Sequence, residues 1–404
     1  MEHLNKKKIL LGEALPATLY VLIYTLYTVV FSFQINLMLI RISYMVFYVI
    51  TLWFTISTFQ NYSSSPFIRR LTMMFGLILL YGAILHITGT AGFKRSVSPF
   101  GVMFLYISSI LPIYPFYYFE RKGMINPSWF KYVFFLFCVC AYGLYFHTQQ
   151  HVIESLLKNE GEFTNNSGYV IVSLLPFIAF FEKRNIIQYV ILVIIILATI
   201  LCFKRGAIVV AVLSMVYFFL QKTKSSNNKK KLMVVVLGIA AALVVYWYVD
   251  NLFQSNAYFY SRVIVSSEGD SSGRDQIYSY FLNYYFSNEN GIIGMFFGNG
   301  MAGTVKIRGI EAHNDWIEIL IDMGLLGVFF YLSYWITNYK YYRYARKHLP
   351  YTIVMAMGMV LIINFSRTLF SMSLNDMSFF SASLIGYTMA LVDKNKTNKI
   401  LPQK

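Results

Sequence analysis

The chain has 404 residues, of which 57% are hydrophobic and only 13% charged, with a mean hydropathy of +0.55. Soluble domains carry about 25% charged residues, so the composition excludes a soluble globular protein and points to a membrane protein. The net charge of +16 raises nucleic acid as a partner, but the placement of that charge along the chain has a simpler cause, given below.

The N-terminus, "MEHLNKKKILLGEALPATLYVLIYTLYTVVFSF", joins a basic start to an apolar run. No small-residue cleavage site follows, so it reads as a retained first span rather than a signal peptide. A span needs roughly 20 apolar residues. That length predicts about twelve segments, near 14–32, 36–58, 72–90, 100–119, 129–147, 169–181, 186–203, 206–221, 232–250, 316–337, 352–370 and 378–392. The sixth and eighth are short, as expected of tilted helices or helices broken around a cavity. Cys138, Cys140 and Cys202 lie inside these runs with neither zinc nor disulfide spacing, and read as inert.

The predicted organisation has three parts: spans one to nine over 1–250, one large external segment over 251–315, and spans ten to twelve with a basic tail over 316–404. With both termini in the cytoplasm, 23 of the 34 Lys and Arg fall on inner segments, ten on outer segments, and Arg41 within a span. That bias follows the positive-inside rule. Most of the +16 is therefore a topology signal, and no nucleic-acid partner is needed to explain it.

The outer cations are the remainder that insertion does not require. Lys94 and Arg95 fit snorkelling at the lipid headgroups or guidance of a second lipid carrier. Lys204 and Arg205, in "LCFKRGAIVV", fill a very short turn between two apolar helices. Snorkelling explains them, and composition alone favours that reading. A phosphate clamp also fits, because the planar guanidinium suits phosphate bidentately and Gly206 leaves room beside it.

In the external segment, "SSGRDQIYSYF" places Arg274 after a Ser/Gly turn, where it either pairs with Asp270 or Asp275 or faces a ligand. Ile277, Tyr280, Phe281 and Tyr284 recur at helical spacing, which predicts a short amphipathic helix on the membrane surface or along a cleft. Tyr258, Tyr260, Tyr280, Tyr284 and Tyr285 fit sugar stacking as well as an interfacial aromatic belt.

Then comes "HNDWIEILIDMGLLG". His313 stands at the mouth of the tenth span, with Asn314 or Asp315 as its N-cap. A histidine here suits proton transfer from a hydroxyl. Glu318 and Asp322 are four apart and share a helix face. Acids at that depth suggest function, and pairing with Arg367 or Arg205 is the structural alternative. Gly324 and Gly327 allow close helix packing.

In this order, Arg205-Gly206, Gly273-Arg274, Gly298-Asn299-Gly300, and His313-Asn314 through Asp322-x-Gly324-x-x-Gly327 resemble the O-antigen ligase and O-antigen/capsule polymerase family. The resemblance covers about residues 200–335. Lys204 stands where the family usually has serine, Tyr278 where tryptophan is common, and Ile319 near an expected leucine.

The resemblance implies an all-α, polytopic GT-C-like fold in the cytoplasmic membrane. It also implies metal-independent, cofactor-free, inverting glycosyl transfer at the outer leaflet. The donor would be a glycan on undecaprenyl pyrophosphate, and the acceptor a hydroxyl of a second lipid-linked unit. A chain-length regulator and a flippase would be partners. His313 would take the hydroxyl proton, Arg205, Arg274 and Lys204 would hold the pyrophosphate, and Asn314, Glu318 and Asp322 would support them. The rivals are a ligase acting on lipid A core or protein, and a transporter or flippase. A transporter would favour repeat symmetry and midplane polar sites, whereas the polarity here is concentrated in one asymmetric external segment.

Overall fold

The computed structural model describes residues 11–88, 99–157, 165–181, 185–225, 273–374 and 376–400, with scattered positions between 236 and 254. Every regular element among them is helical. In chain order these are α1 (Leu11–Ser32), α2 (Leu37–Tyr62), α3 (Pro66–Thr88), α4 (Pro99–Ile110), α5 (Ile113–Arg121), α6 (Pro127–Leu157), α7 (Gly168–Val172), a 3-10 helix (Leu175–Phe181), α8 (Asn185–Leu201) and α9 (Arg205–Ser225). They continue with α10 (Arg274–Tyr285), α11 (Gly291–Phe297), α12 (Gly303–Arg308), α13 (Asp315–His348), α14 (Tyr351–Phe370) and α15 (Phe379–Ile400).

Among the described residues, α1, α2, α3, α6, α9, α13 and α14 are long and apolar enough to cross a membrane. They coincide with predicted spans one, two, three, five, eight, ten and eleven. Local chemistry sets several boundaries. Asn36 caps α2, its Oδ1 accepting from the Met38 and Leu39 amides, and Asn126 accepts from Trp129 N at 2.8 Å at the start of α6. Both close amides that the first helical turn leaves without partners.

The remaining predicted spans are shorter or differently built. The fourth splits into α4 and α5 at Leu111–Pro112, where proline removes a helix donor. The sixth is one turn of α-helix followed by a 3-10 helix containing Pro176. The seventh is α8, 17 residues long. The twelfth forms the apolar first half of α15, whose second half is polar. Most of the ninth, 232–250, lies outside the described residues, as does 255–272 of the external segment.

Burial separates the outermost candidate span from the innermost. α2 turns Leu37, Met38, Met45, Val49 and Trp53 outward, each more than 60% exposed, as a lipid-facing helix does. By contrast 72% of the α14 span is buried, which makes it the central helix.

One end of the bundle is basic and tightly tied. There Asp393 accepts from Ser65 Oγ (2.6 Å), Tyr117 OH (2.8 Å) and Tyr341 OH (2.6 Å). Beside it Lys394 pairs with Glu120 at 3.1 Å, and Arg121 lies over the Tyr62 ring at 5.0 Å. The polar motifs of the second half of the chain gather at the other end.

The tenth span departs most from expectation. α13 is two helices joined at Gly324, whose φ of 63° and ψ of −159° are not helical. Its first arm, 315–323, folds back along the second, 325–348: a Cβ on Gly327 would press on Ile319, and the Trp316 and Tyr331 rings lie 4.9 Å apart. The second arm alone is about 36 Å long at 1.5 Å per residue, enough for one crossing. His313 therefore precedes a short returning helix and does not open the span itself.

Candidate functional site

The site is assembled around the C-terminal end of α14. The last carbonyls of a helix lack partners and carry the negative end of its dipole. Here three motif side chains supply the donors. Arg274 Nη1 donates to Phe370 O at 2.7 Å, and Asn314 Nδ2 donates to Leu369 O at 2.8 Å. Tyr278 OH reaches Leu369 O (3.5 Å) and His313 O (3.4 Å). Burial pushes the Tyr278 hydroxyl above its ordinary range, against the opposing charge of Arg274, which keeps it a protonated donor.

Arg205 and Gly206 arrive from a tight reversal between α8 and α9. Phe203 takes a left-handed φ of 51°, and Lys204 O accepts from Ala207 N and Ile208 N to start α9. A Cβ on Gly206 would overlap the Tyr169 hydroxyl and lie 3.1 Å from the Phe370 ring. Gly206 is thus packed against the same residue whose carbonyl anchors Arg274. Lys204 lies close enough to act electrostatically on Asp376.

Asn314 is the N-cap of α13, with Oδ1 accepting from Trp316 N (3.0 Å) and Ile317 N (3.2 Å). His313 is exposed and holds a left-handed φ of 55°. Non-glycine residues there are strained and cluster at functional positions.

Glu318 and Asp322 are fully buried and are not bonded to an arginine or to the His313 side chain. Glu318 accepts from Ala312 N at 2.7 Å and from the Thr304 hydroxyl. Asp322 accepts from Ala302 N (3.0 Å) and Thr304 N (3.3 Å). They fasten the loop around α12 onto the first arm of α13. Through Ala312 N, Glu318 holds the residue that precedes His313. The structural alternative, pairing of these acids with Arg205 or Arg367, is not what the structure contains.

The Gly298-Asn299-Gly300 element closes the break in α13. Asn299 N donates to Ile321 O at 2.8 Å and Gly300 N to Asp322 O at 2.9 Å. Both are carbonyls that an unbroken helix would have used itself. The two backbones are so close that a Cβ on Gly298 would collide with the Asp322 carbonyl, and one on Gly324 with Phe296. Gly324 therefore serves the close approach of α11, not the packing of another span.

The expected surface helix is α10, and it is turned slightly from expectation. Phe281 and Tyr285 are buried with Ala312 and Ile321, whereas Tyr280 is 40% exposed beneath Arg308, whose guanidinium lies 4.6 Å from the ring.

Three residues belong to the site without having been assigned to it from sequence. Arg367 has no exposed surface. Its Nη2 pairs with Asp376 at 2.9 Å and its guanidinium lies 4.5 Å over the Tyr169 ring, while Nε and Nη1 have no hydrogen-bond partner among the described residues. Asp315 is the third: it is a buried acceptor rather than the cap, taking hydrogen bonds from Tyr331 OH (2.6 Å), Leu374 N (3.0 Å) and Ser373 N (3.2 Å). Arg367 alone carried a sequence signal, as an arginine at the end of an apolar span.

The site thus collects Lys204, Arg205, Arg274 and Arg367 beside a histidine and an asparagine, an arrangement suited to a multiply charged anion next to a hydroxyl. Among the described residues, no three His, Cys, Asp or Glu side chains cluster as metal ligands would. Residues 190–332 match the sequence model of the O-antigen ligase family, so over that stretch, α8 into the second arm of α13, the chain is similar to O-antigen ligases. No curated protein matches the chain.

Proposed function

We propose that this membrane protein is a polysaccharide polymerase that joins polyprenyl-diphosphate-linked repeat units at the outer face of the cytoplasmic membrane. The observation that carries the reading is the meeting of Arg274, Gly206, Asn314 and the His313 peptide at Leu369–Phe370, beside buried Arg367. The opposite end of the bundle carries Arg121, Lys394 and the basic end of α13. Positive ends tend to face the cytoplasm, which supports the reading that the arginine cluster lies outside.

In the proposed reaction a hydroxyl oxygen of the acceptor sugar attacks the anomeric carbon of the donor. The bond from that carbon to the diphosphate oxygen breaks, and its electron pair leaves with the diphosphate. His313 takes the hydroxyl proton. Arg205 and Arg274, with Lys204 and Arg367 nearby, neutralise the leaving group as its charge develops, the type of stabilisation in which one preorganised donor is worth about 10²–10³-fold in rate. Attack opposite the leaving group inverts the anomeric centre. Anchoring Arg274 to a helix C-terminus leaves its remaining N–H groups to face an anion without first being ordered.

The test is to incubate purified protein with lipid-linked repeat units and resolve the products by length. A ladder of lengths is the expected result. Transfer in one step to a different acceptor would replace polymerase by ligase, and absence of any glycosyl transfer would overturn the reading.

A further inference from the structure

Asp376 has two neighbours of different character. On one side it holds Arg367 at 2.9 Å, and its side chain is 64% exposed. On the other it lines a cavity of about 260 Å³ between α1, α2, α4 and the start of α15. Tyr24, Tyr27, Tyr48, Thr28 and Ser108 also face that cavity. We infer that this cavity is a saccharide subsite, holding the terminal sugar of the acceptor beside the arginine cluster, with Asp376 as the wall common to both.

The lining has the two kinds of surface a pyranose presents. Its C–H face is apolar and flat, and its edges are hydroxyl-bearing. Tyrosine rings match the first, and tyrosine, serine and threonine hydroxyls and a carboxylate match the second. An acyl or isoprenoid chain would need no such edge.

The rings are held by one another before anything binds. Tyr24 stacks on Phe379 at 3.7 Å, Tyr27 lies 5.3 Å from Tyr44, and Tyr44 lies 4.5 Å from Tyr48. Thr28 and Ser108 donate to Tyr24 O and Leu105 O within their own helices, each at 2.9 Å. Their oxygens keep lone pairs that accept from a sugar hydroxyl. Pre-formed rings lower the entropic cost of binding.

The inference rests on the polymerase reading, and its test separates the two. A repeat unit with its reacting hydroxyl methylated can only donate, and the methyl glycoside of the repeat unit can only accept. With donor saturating and acceptor varied, Tyr27→Ala is expected to raise the acceptor KM about tenfold. Ser108→Trp, which fills the cavity, is expected to abolish saturation by acceptor. Donor binding, read by retention of the methylated unit, stays at the wild-type level in both.

If wild type transfers and both folded variants keep the wild-type acceptor KM, the subsite is overturned. Equal loss of donor binding and acceptor use also overturns it, since that marks general disruption. A photo-reactive group at position 27 should label the methyl glycoside, and labelling of lipid chains alone would assign the cavity to lipid. Failure of wild type to transfer at all would instead defeat the underlying polymerase reading.

Discussion

The Tyr331 hydroxyl donates to the Asp315 carboxylate at 2.6 Å although 16 residues separate them in a single apparent helix. A straight helix would hold them about 24 Å apart. Their contact fixes the fold-back at Gly324. The same carboxylate oxygen accepts from Ser373 and Leu374, and so ties the fold-back to the turn after α14 where the cations gather.

Removing that carboxylate should therefore cost more than removing its phenol partner. Asp315→Ala leaves two buried amides and a hydroxyl unsatisfied, each costing about 1–3 kcal/mol. Tyr331→Phe leaves the carboxylate with both amides and should cost about 1 kcal/mol. Thermal unfolding in detergent would rank them, and equal losses would show that the fold-back does not depend on Asp315.

Substituting either glycine of the α11–α13 contact should be damaging without touching a charged group. Gly298 and Gly324 have φ of 76° and 63° and face each other's backbones. Alanine at either position should destabilise by about 1–3 kcal/mol from the left-handed backbone alone, with further loss as the Asn299 and Gly300 hydrogen bonds open. Hydrogen exchange should report faster exchange at those two amides.

Arg274→Lys keeps a positive charge but not the planar fork that spans Phe370 O and a bound anion. Polymer synthesis is expected to fall about 10²-fold or more, while protein level in the membrane stays unchanged. Arg205→Ala should fall similarly. Full-length polymer from both variants would remove the arginines from the reaction.

His313 combines a strained backbone with a proposed proton transfer, and asparagine separates the two. Asn tolerates the left-handed region but cannot take a proton at neutral pH. His313→Asn should unfold at the wild-type temperature and lose about 10²–10⁴-fold in turnover, the range for a positioned general base. Wild-type turnover in that variant would confine His313 to its backbone role.

Glu318 and Asp322 should behave as structural acceptors. Glu318→Gln keeps an oxygen for Ala312 N and should retain much of the activity. Glu318→Ala frees that amide and the Thr304 hydroxyl, and should lose both stability and turnover. A carboxylate acting directly on substrate would make the glutamine variant as inactive as the alanine one.

Much of this molecule follows from local sequence. Run length and hydropathy define the membrane helices, because burial of each backbone within its own helix is a property of that segment alone. Asn314 is legible as a cap because capping reaches only two or three residues along the chain. The positions of Arg205, Arg274, His313 and the Gly298–Gly300 turn stand out for the same reason: each interrupts an otherwise uniform pattern.

Their relations to one another are decided only in three dimensions. Gly324 reads alike in a packed span and in a broken helix. Which one it is depends on the Asn299 and Gly300 amides arriving from α11 to donate to the exposed carbonyls. The acids of α13 could have met arginines, but backbone donors from the α12 loop reached them first. Arg367 and Asp376 enter the site because α14 ends where Tyr169 and Gly206 pack. Hydropathy is summed along a segment, whereas a buried polar group is satisfied by whichever donor or acceptor the fold brings to it, and that partner is set by packing between distant parts of the chain.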